Sequence, residues 1–199
     1  MSIKSRRAII ALAGIFGIAA PAGAIWLVPW ELSERQEAKT LADVQQGGYV
    51  IYLRHADRSR GAKEPFNANS PLDAFIDCTD QRNLTATGRA HAGKIGVAFR
   101  TLNIPVGRVV ALPLCRTRET AQLAFGAAEL DPRLYDPTYV KALFSEPVDK
   151  GNLVVVDTKD PVYRIADIIL QPGEAAVFQP KKGGGFMYIG MLDQEDLDR

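Results

Sequence analysis

A buried β-strand is predicted by the run Tyr49-Val50-Ile51-Tyr52-Leu53, which continues directly into Arg54-His55-Ala56-Asp57-Arg58. An uninterrupted run of β-branched and aromatic residues is typical of a strand that is covered on both faces. Open α/β sheets built from such strands place their ligand sites at the carboxyl ends of the strands. The histidine and the arginines that follow Leu53 therefore stand where a functional site is expected.

Further apolar runs extend this pattern along the chain. Strands are predicted at residues 109–112 and 152–156, and helices at residues 89–102, 117–125, 139–144 and 162–169. Two closing strands, residues 174–179 and 185–192, are joined through a Gly-rich hairpin. Strands that alternate with helices predict a single α/β domain with a mostly parallel central sheet and helices on both faces.

The N-terminus has the pattern of an export signal. Lys4, Arg6 and Arg7 precede residues 8–30, which carry no charge and are long enough to cross roughly 30 Å of hydrocarbon. Residues 1–30 are therefore either a signal peptide cleaved near Ala24 or an uncleaved membrane anchor. Residues 31–46 form a linker with a short helix, and residues 47–199 form the folded domain. Either alternative places this domain in the periplasm or elsewhere outside the cytoplasm, and the anchor would hold it at the inner membrane.

Composition fits an ordinary folded domain. Hydrophobic residues make up 47% of the 199 residues and charged residues 24%, which excludes a disordered chain. The net charge of +1, with no basic run after Arg7, argues against a nucleic-acid partner. No His and Cys spacing typical of a metal site occurs, and no cofactor is predicted.

The chain has two cysteines, Cys78 and Cys115. An even pair in an exported protein predicts one disulfide bond. It would close a loop of about 37 residues and stabilise the fold by roughly 3–4 kcal/mol on the chain-entropy relation. Two separate buried thiols are the alternative for a cytosolic protein.

Basic side chains at two strand ends predict a phosphate pocket. Arg54 and His55 follow the first strand, and Arg116 follows the strand at residues 109–112. Guanidinium groups bind phosphoryl oxygens in bidentate fashion, and a neutral imidazole nitrogen can attack phosphorus. Alone, such a histidine is more often structural and such an arginine more often forms a surface ion pair. Their combination at matching strand ends favours the functional interpretation.

Three segments in order resemble the histidine phosphatase superfamily, which contains the phosphoglycerate mutases and acid phosphatases. They are Arg54-His55-Ala56, Asn83-Leu84-Thr85-Ala86-Thr87-Gly88 and Pro113-Leu114-Cys115-Arg116-Thr117-Arg118-Glu119-Thr120-Ala121. The resemblance covers about residues 47–195 and implies a phosphoglycerate mutase-like fold. The cysteine pair is similar to that of an exported bacterial subgroup, in which some members act on phosphorylated sugars of the cell envelope.

The resemblance also implies the roles of individual residues. His55 would be the catalytic nucleophile that becomes phosphohistidine, and Arg54, Arg58 and Arg116 would bind the phosphate of a small phosphorylated substrate. The family places a second histidine after its last core strand, where this chain has Thr158. Thr158 would then be a weak phosphate-binding residue. The proton donor is open among four carboxyl groups, those of Asp57, Asp80, Asp136 and Asp157.

Two functions are compatible with Thr158 in place of the second histidine. One is a phosphomonoester hydrolase weakened by the loss of a donor, which typically costs on the order of 10²–10³ in rate. The other is an inactive pseudophosphatase that binds a phosphorylated or anionic ligand at the membrane. His91, the other histidine of the chain, is predicted to be exposed to solvent.

Overall fold

The computed structural model describes residues 29–61, 70–71, 74–75 and 77–197. The predicted signal peptide or anchor lies outside these residues except for Pro29 and Trp30. Within the described part of the chain, no helix combines the length and apolar character needed to cross a membrane.

The described residues alternate between helices and strands. The helices are α1 (Pro29–Gln46), α2 (Ala86–Thr101), α3 (Cys115–Phe125), α4 (Pro137–Leu143), α5 (Lys159–Ala166) and α6 (Gln194–Leu197), with a 3₁₀ turn at Pro132–Tyr135. The strands are β1 (Val50–Arg54), β2 (Val106–Ala111), β3 (Glu129–Leu130), β4 (Asn152–Asp157), β5 (Ala175–Pro180) and β6 (Phe186–Leu192).

All six strands join in one sheet of order β3-β2-β4-β1-β5-β6. The strands β1 to β4 pair in parallel, whereas β5 pairs antiparallel with β1, and β6 antiparallel with β5. The predicted α/β domain with a mostly parallel sheet is confirmed, and so is the closing hairpin.

Alternate residues of the central strands face two separate hydrophobic cores. Leu53 and Val156 pack with Phe99 of α2 on one face, whereas Tyr52 and Val155 pack with residues of α4 on the other. This alternation follows from the two-residue period of a strand. Helices therefore cover both faces, as predicted.

Helix α1 is packed onto the domain rather than standing apart from it. Thr40 and Val44 are fully buried, and the side-chain amide of Asn152 donates to the Val44 carbonyl over 2.7 Å. Gln36 similarly donates through its amide to the Ile189 carbonyl of β6 over 2.7 Å. The short helix predicted within residues 31–46 is present and begins at Pro29.

Two predicted helices have different ends in the structure. Thr85 accepts a hydrogen bond from the Gly88 amide over 2.9 Å, so α2 begins at Ala86 instead of residue 89. The helix predicted at residues 162–169 is instead Lys159–Ala166. Pro161 fits its first turn, where backbone N–H groups have no intrahelical partner, and Asp167 ends it in a left-handed conformation.

Candidate active site

The carboxyl ends of three central strands meet at one edge of the sheet. Arg54 at the end of β1 lies opposite Asp157 at the end of β4, and the His55 amide donates to the Asp157 carbonyl over 2.9 Å. On the other side of β4, the Leu112 amide donates to the Val156 carbonyl over 3.1 Å. The segments that carry His55, Thr158 and Arg116 therefore leave the sheet side by side.

His55 is held as a neutral imidazole with one defined tautomer. Its Nδ1 lies 2.7 Å from the Ala56 carbonyl oxygen, which can only accept, so Nδ1 carries the proton and Nε2 keeps its lone pair. Burial lowers the pKa of His55 to about 3; the Ala56 hydrogen bond opposes this shift, and the charges of Arg116, Arg54 and Arg58 add to it. At neutral pH, Nε2 is therefore an unprotonated nitrogen in a positive field.

Two helices fix the segment that follows β1. The Ala56 amide donates to Thr120 Oγ1 of α3 over 3.2 Å, and the same hydroxyl donates to the Arg116 carbonyl over 2.7 Å. On the other side, a Cβ placed on Gly88 would lie 1.9 Å from the Asp57 carbonyl oxygen, so α2 can approach this segment only with glycine there. The resembling motifs around Gly88 and Thr120 thus position His55.

Arg116 is buried in the first turn of α3, and this turn is anchored on both sides. Cys115 forms a disulfide with Cys78, with the two Cα atoms 5.8 Å apart, which confirms the predicted bond. The Cys115 amide also donates to the side-chain oxygen of Gln81 over 2.8 Å. Gln81 in turn donates to the Phe75 carbonyl over 2.5 Å. The disulfide and Gln81 therefore hold the helix start that carries Arg116.

Arg54 and Arg58 are both half-buried near His55. Arg54 donates through Nη1 to the Leu170 carbonyl over 2.5 Å, and its Nε is buried without a hydrogen bond among the described residues. Burial, together with the charge of Arg58, lowers the pKa of Arg54. Arg58 forms an isolated antiparallel bridge with Leu84. Two positive charges that act on each other in this way favour a nearby anion.

Thr158 directly follows β4 and lies at the same edge of the sheet. It is the N-cap residue of α5, but its side chain makes no capping hydrogen bond. Its carbonyl accepts a hydrogen bond from the Tyr52 hydroxyl over 2.8 Å, and its amide donates to Asp157 Oδ1 over 2.6 Å. The Thr158 hydroxyl is thus one uncharged donor that no local structure requires.

The four candidate proton donors differ in their exposure to solvent. Asp57, Asp80 and Asp136 are exposed; Asp57 accepts from the Thr85 hydroxyl, and Asp136 caps α4 by accepting from the Thr138 amide. Asp157 is the one that is fully buried. Its position at the end of an otherwise apolar strand is the sequence signal that distinguishes it.

Burial favours the protonated form of Asp157. Burial raises the pKa of Asp157 to about 8, while the Thr158 amide, the Tyr52 hydroxyl and Arg116 oppose the shift, and Asp160 adds to it. Its Oδ2 makes no hydrogen bond among the described residues. A carboxyl group whose protonated form is favoured thus lies at the cavity with Arg116.

A cavity of about 230 Å³ opens at this edge. Arg116, Asp157 and Thr158 line it, together with two arginines and an aspartate that the sequence did not assign to the site: Arg82, Arg164 and Asp160. Its apolar wall comes from Leu112, Leu114 and Pro161. The cavity gives a ligand at Arg116 room to extend away from β1.

His91 is half-buried, so its predicted exposure to solvent is wrong. Its ring packs against Gly173, where an added Cβ would lie 2.2 Å from Cε1 of the ring. Gly173 is itself tied to β1, because its amide donates to the Arg54 carbonyl over 3.1 Å. The loop between α5 and β5 therefore covers His91.

Solved structures share this architecture. The protein histidine phosphatase SixA in complex with tungstate superposes with a TM-score of 0.54 at 16% identity, covering 75% of this chain and 99% of that protein. The phosphohistidine phosphatase SixA from Nakamurella multipartitia superposes with a TM-score of 0.51 at 16% identity, covering 73% of this chain and 95% of that protein. This chain has the histidine phosphatase fold.

The histidine phosphatase fold agrees with the resemblance seen in the three sequence segments. No family model matches the chain, and no curated protein matches it either. At 16% identity to the two SixA structures, the likeness establishes the fold. The chemistry has to be argued from the residues at the sheet edge, since one fold hosts different activities.

Proposed function

We propose that this protein hydrolyses phosphomonoesters through a phosphohistidine intermediate on Nε2 of His55. The observation that carries the proposal is the buried, neutral His55 ring, whose Nδ1 lies 2.7 Å from the Ala56 carbonyl oxygen. Three arginines act on this ring, Arg116 most strongly. A nucleophile surrounded by fixed positive charge suits a dianionic phosphoryl group and the charge that develops on its oxygens.

The proposed reaction has two steps. Nε2 of His55 attacks phosphorus, the bond from phosphorus to the ester oxygen breaks, and the departing oxygen takes a proton. Water then attacks the phosphohistidine, the bond from nitrogen to phosphorus breaks, and the proton of the water returns to the group that gave one in the first step. Inorganic phosphate leaves, and His55 is again neutral.

We assign the proton transfer to Asp157. A general acid must be protonated at working pH, and the raised pKa of about 8 provides this. The same carboxyl group can donate a hydrogen bond to a phosphoryl oxygen beside Arg116, a task that the second histidine performs in the resembled family. Asp157 with the Thr158 hydroxyl would replace that imidazole by two uncharged donors, so slow turnover is expected.

Binding without turnover is the second candidate function. It is favoured by Thr158, which offers one neutral hydroxyl where the family motif has a histidine. Arg54, Arg58 and Arg116 would still hold an anion in this case. The two functions differ only in whether His55 forms and releases a covalent phosphoryl group.

Hydrolysis of p-nitrophenyl phosphate by the full chain tests the proposal. Measurable turnover that is lost in His55→Ala supports the hydrolase, because a contaminating phosphatase would be indifferent to this change. Tungstate, which is present in one of the SixA structures, should inhibit competitively as a phosphate mimic. Tungstate binding by a chain without any turnover would favour the binding module.

We also infer an extracytoplasmic location, with residues 8–30 as anchor or cleaved signal and an envelope sugar phosphate as substrate. The Cys78–Cys115 disulfide supports the location, because such bonds persist in oxidising compartments. Protease accessibility of the folded domain in intact spheroplasts tests the location, and a domain protected until the membrane is permeabilised would contradict it.

A further inference from the structure

A second cavity, of about 510 Å³, opens beside the Cys78–Cys115 disulfide. Both cysteines line it, together with Arg118 and Leu123 of α3. Among the described residues, this cavity shares no lining residue with the cavity at the sheet edge, although both border the first turn of α3. Cys115 lines one cavity and its neighbour Arg116 lines the other. The sulfur atoms can therefore be approached without entering the candidate active site.

The two cysteines differ in their exposure to solvent. Cys78 is half-buried, whereas only 3% of Cys115 is exposed. A thiol that reacts with this disulfide therefore meets Cys78 first. Attack on Cys78 Sγ makes Cys115 Sγ the leaving group, and the rate of exchange then depends on how well Cys115 is stabilised as a thiolate.

Two features of α3 stabilise a thiolate at Cys115. Cys115 is the first residue of this 11-residue helix, and the positive end of a helix favours a negative charge there. Arg118, one turn further along, has its Nη2 3.4 Å from Cys78 Sγ and 3.7 Å from Cys115 Sγ. Its guanidinium group is thus close to both sulfur atoms between which negative charge moves during exchange.

The negative groups near the sulfur atoms oppose this charge only weakly. Glu119 also lines the cavity, but its carboxylate accepts a hydrogen bond from Arg89 Nε over 2.6 Å. The Phe75 carbonyl oxygen lies 3.9 Å from Cys115 Sγ and carries a partial charge, whereas Arg118 carries a full one. The balance of charge therefore favours departure of Cys115 as a thiolate.

We propose that the Cys78–Cys115 disulfide is a thiol-exchange site for a dithiol, which attacks Cys78 and displaces Cys115. A thiolate of the dithiol bonds to Cys78 Sγ, the bond between the two cysteine sulfurs breaks, and its electron pair goes to Cys115 Sγ. The second thiol of the dithiol then loses its proton and attacks the reagent sulfur bound to Cys78, which releases Cys78 as a thiolate. The dithiol is oxidised to a disulfide, and its two electrons and two protons leave Cys78 and Cys115 as thiols.

Exchange at this site also reaches the start of α3. The Cys115 amide donates to the Gln81 side chain over 2.8 Å, and Asn83 donates to the Cys78 carbonyl over 2.8 Å. Without the covalent bond, the two segments keep only such noncovalent contacts. The first turn of α3, which carries Arg116, is then held less firmly.

Reduction of the native full chain by dithiothreitol, quenched with iodoacetamide and followed by mass spectrometry, tests the role of Arg118. Arg118→Gln should slow reduction by about three- to tenfold, because a charged donor to the leaving sulfur is lost, and Arg118→Lys should keep most of the rate. Arg108→Gln is the control, since Arg108 pairs with Glu129 through a 2.8 Å contact and lies outside this cavity lining. An Arg118→Gln chain that is reduced as fast as wild type or faster would overturn the assignment.

Reduced glutathione identifies the sulfur that is attacked. We expect glutathione on Cys78 and the iodoacetamide label on Cys115, and the reverse pattern would contradict the proposed direction of attack. Urea below the unfolding transition should leave the rate unchanged, whereas a rate that rises with the unfolded fraction would show that the sulfurs are reached only by unfolding and would overturn the site.

Two measurements separate this site from the proposed hydrolysis. His55→Ala should be reduced at the wild-type rate, so failure of the hydrolase leaves the exchange site standing. Hydrogen exchange of backbone amides in residues 77–83 and 115–118 should become faster on reduction, with α5 unchanged as the internal reference. Unchanged exchange in both segments would reject the coupling of the disulfide to Arg116.

Discussion

The opposite pKa shifts of His55 and Asp157 predict an unusual dependence of stability on pH. Burial lowers the pKa of His55 from 6.5 to about 3 and raises the pKa of Asp157 from 3.8 to about 8. Both groups are neutral in the folded protein across the interval between these values. In the unfolded chain, His55 is charged below about pH 6.5 and Asp157 is charged above about pH 3.8. The two titrations therefore change the free energy of unfolding in opposite directions as the pH rises.

The sign of each contribution follows from proton binding. Between pH 4 and 6.5 the unfolded state binds one proton more at His55, so this contribution to the free energy of unfolding rises by about 1.4 kcal/mol per pH unit. Over the same interval the folded state binds one proton more at Asp157, so this contribution falls by about 1.4 kcal/mol per unit. The two cancel, and above pH 6.5 only the fall from Asp157 continues, up to about pH 8.

Asp157→Asn removes one of the two contributions. The variant should gain roughly 3 kcal/mol between pH 4 and 6.5 from His55 alone and show no fall towards pH 8. The difference in free energy of unfolding between variant and wild type should grow by an amount on the order of 5 kcal/mol from pH 4 to 8, as an upper bound.

Urea denaturation followed by circular dichroism, in steps from pH 4 to 8.5, measures these curves. Taking the difference between the two proteins cancels the groups that they share. Asp80→Asn, at an exposed turn position, controls for the loss of one carboxyl group. If the difference between Asp157→Asn and wild type did not change with pH, Asp157 would be ionised in the folded protein and the proton-donor argument would fail.

Three further predictions concern turnover and the disulfide. Thr158→His should raise kcat by about tenfold to several hundredfold, because position 158 makes no capping bond that the change would remove; unchanged kcat in a folded variant would contradict this. Asp157→Asn should lower kcat/KM, which reports the step that forms phosphohistidine, far more for alkyl phosphates than for p-nitrophenyl phosphate, whose leaving group needs no proton; equal losses in kcat/KM would exclude Asp157 as the acid. Replacing both Cys78 and Cys115 by serine should lower the free energy of unfolding by about 4 kcal/mol for a sequence separation of 37. The same change should raise KM, because the helix start that carries Arg116 is then held less firmly. An unchanged KM would show that Gln81 alone positions this helix.

Much of the fold could be predicted from strand-forming runs. Residues 49–53 and 152–156 are uninterrupted apolar segments, and such runs specify buried parallel strands with little ambiguity. Helix ends were predicted less accurately, because a threonine N-cap such as Thr85 decides the start of α2 through a side-chain hydrogen bond that periodicity does not report.

The site could be predicted only where residues stand directly at strand ends. His55 and Arg116 do so, whereas Arg82 and Arg164 reach the cavity from a loop and from a helix whose docking depends on tertiary structure. The protonation state of Asp157 could not be predicted from the sequence either, since its pKa depends on complete burial beside Tyr52 and Arg116. The sequence left four aspartates as possible proton donors. Their burial in the folded structure distinguishes Asp157 from the other three.

The central claim is that Nε2 of His55 forms a covalent bond to phosphorus. Rapid acid-free quenching of the full chain during turnover, followed by peptide mass spectrometry, detects this bond directly. We expect one phosphoryl group on His55, stable to alkali and lost in mild acid, absent from His55→Ala, and more abundant in Asp157→Asn, where its hydrolysis lacks a base. Turnover with no phosphoryl group on His55, or with the group on another residue, would contradict the account.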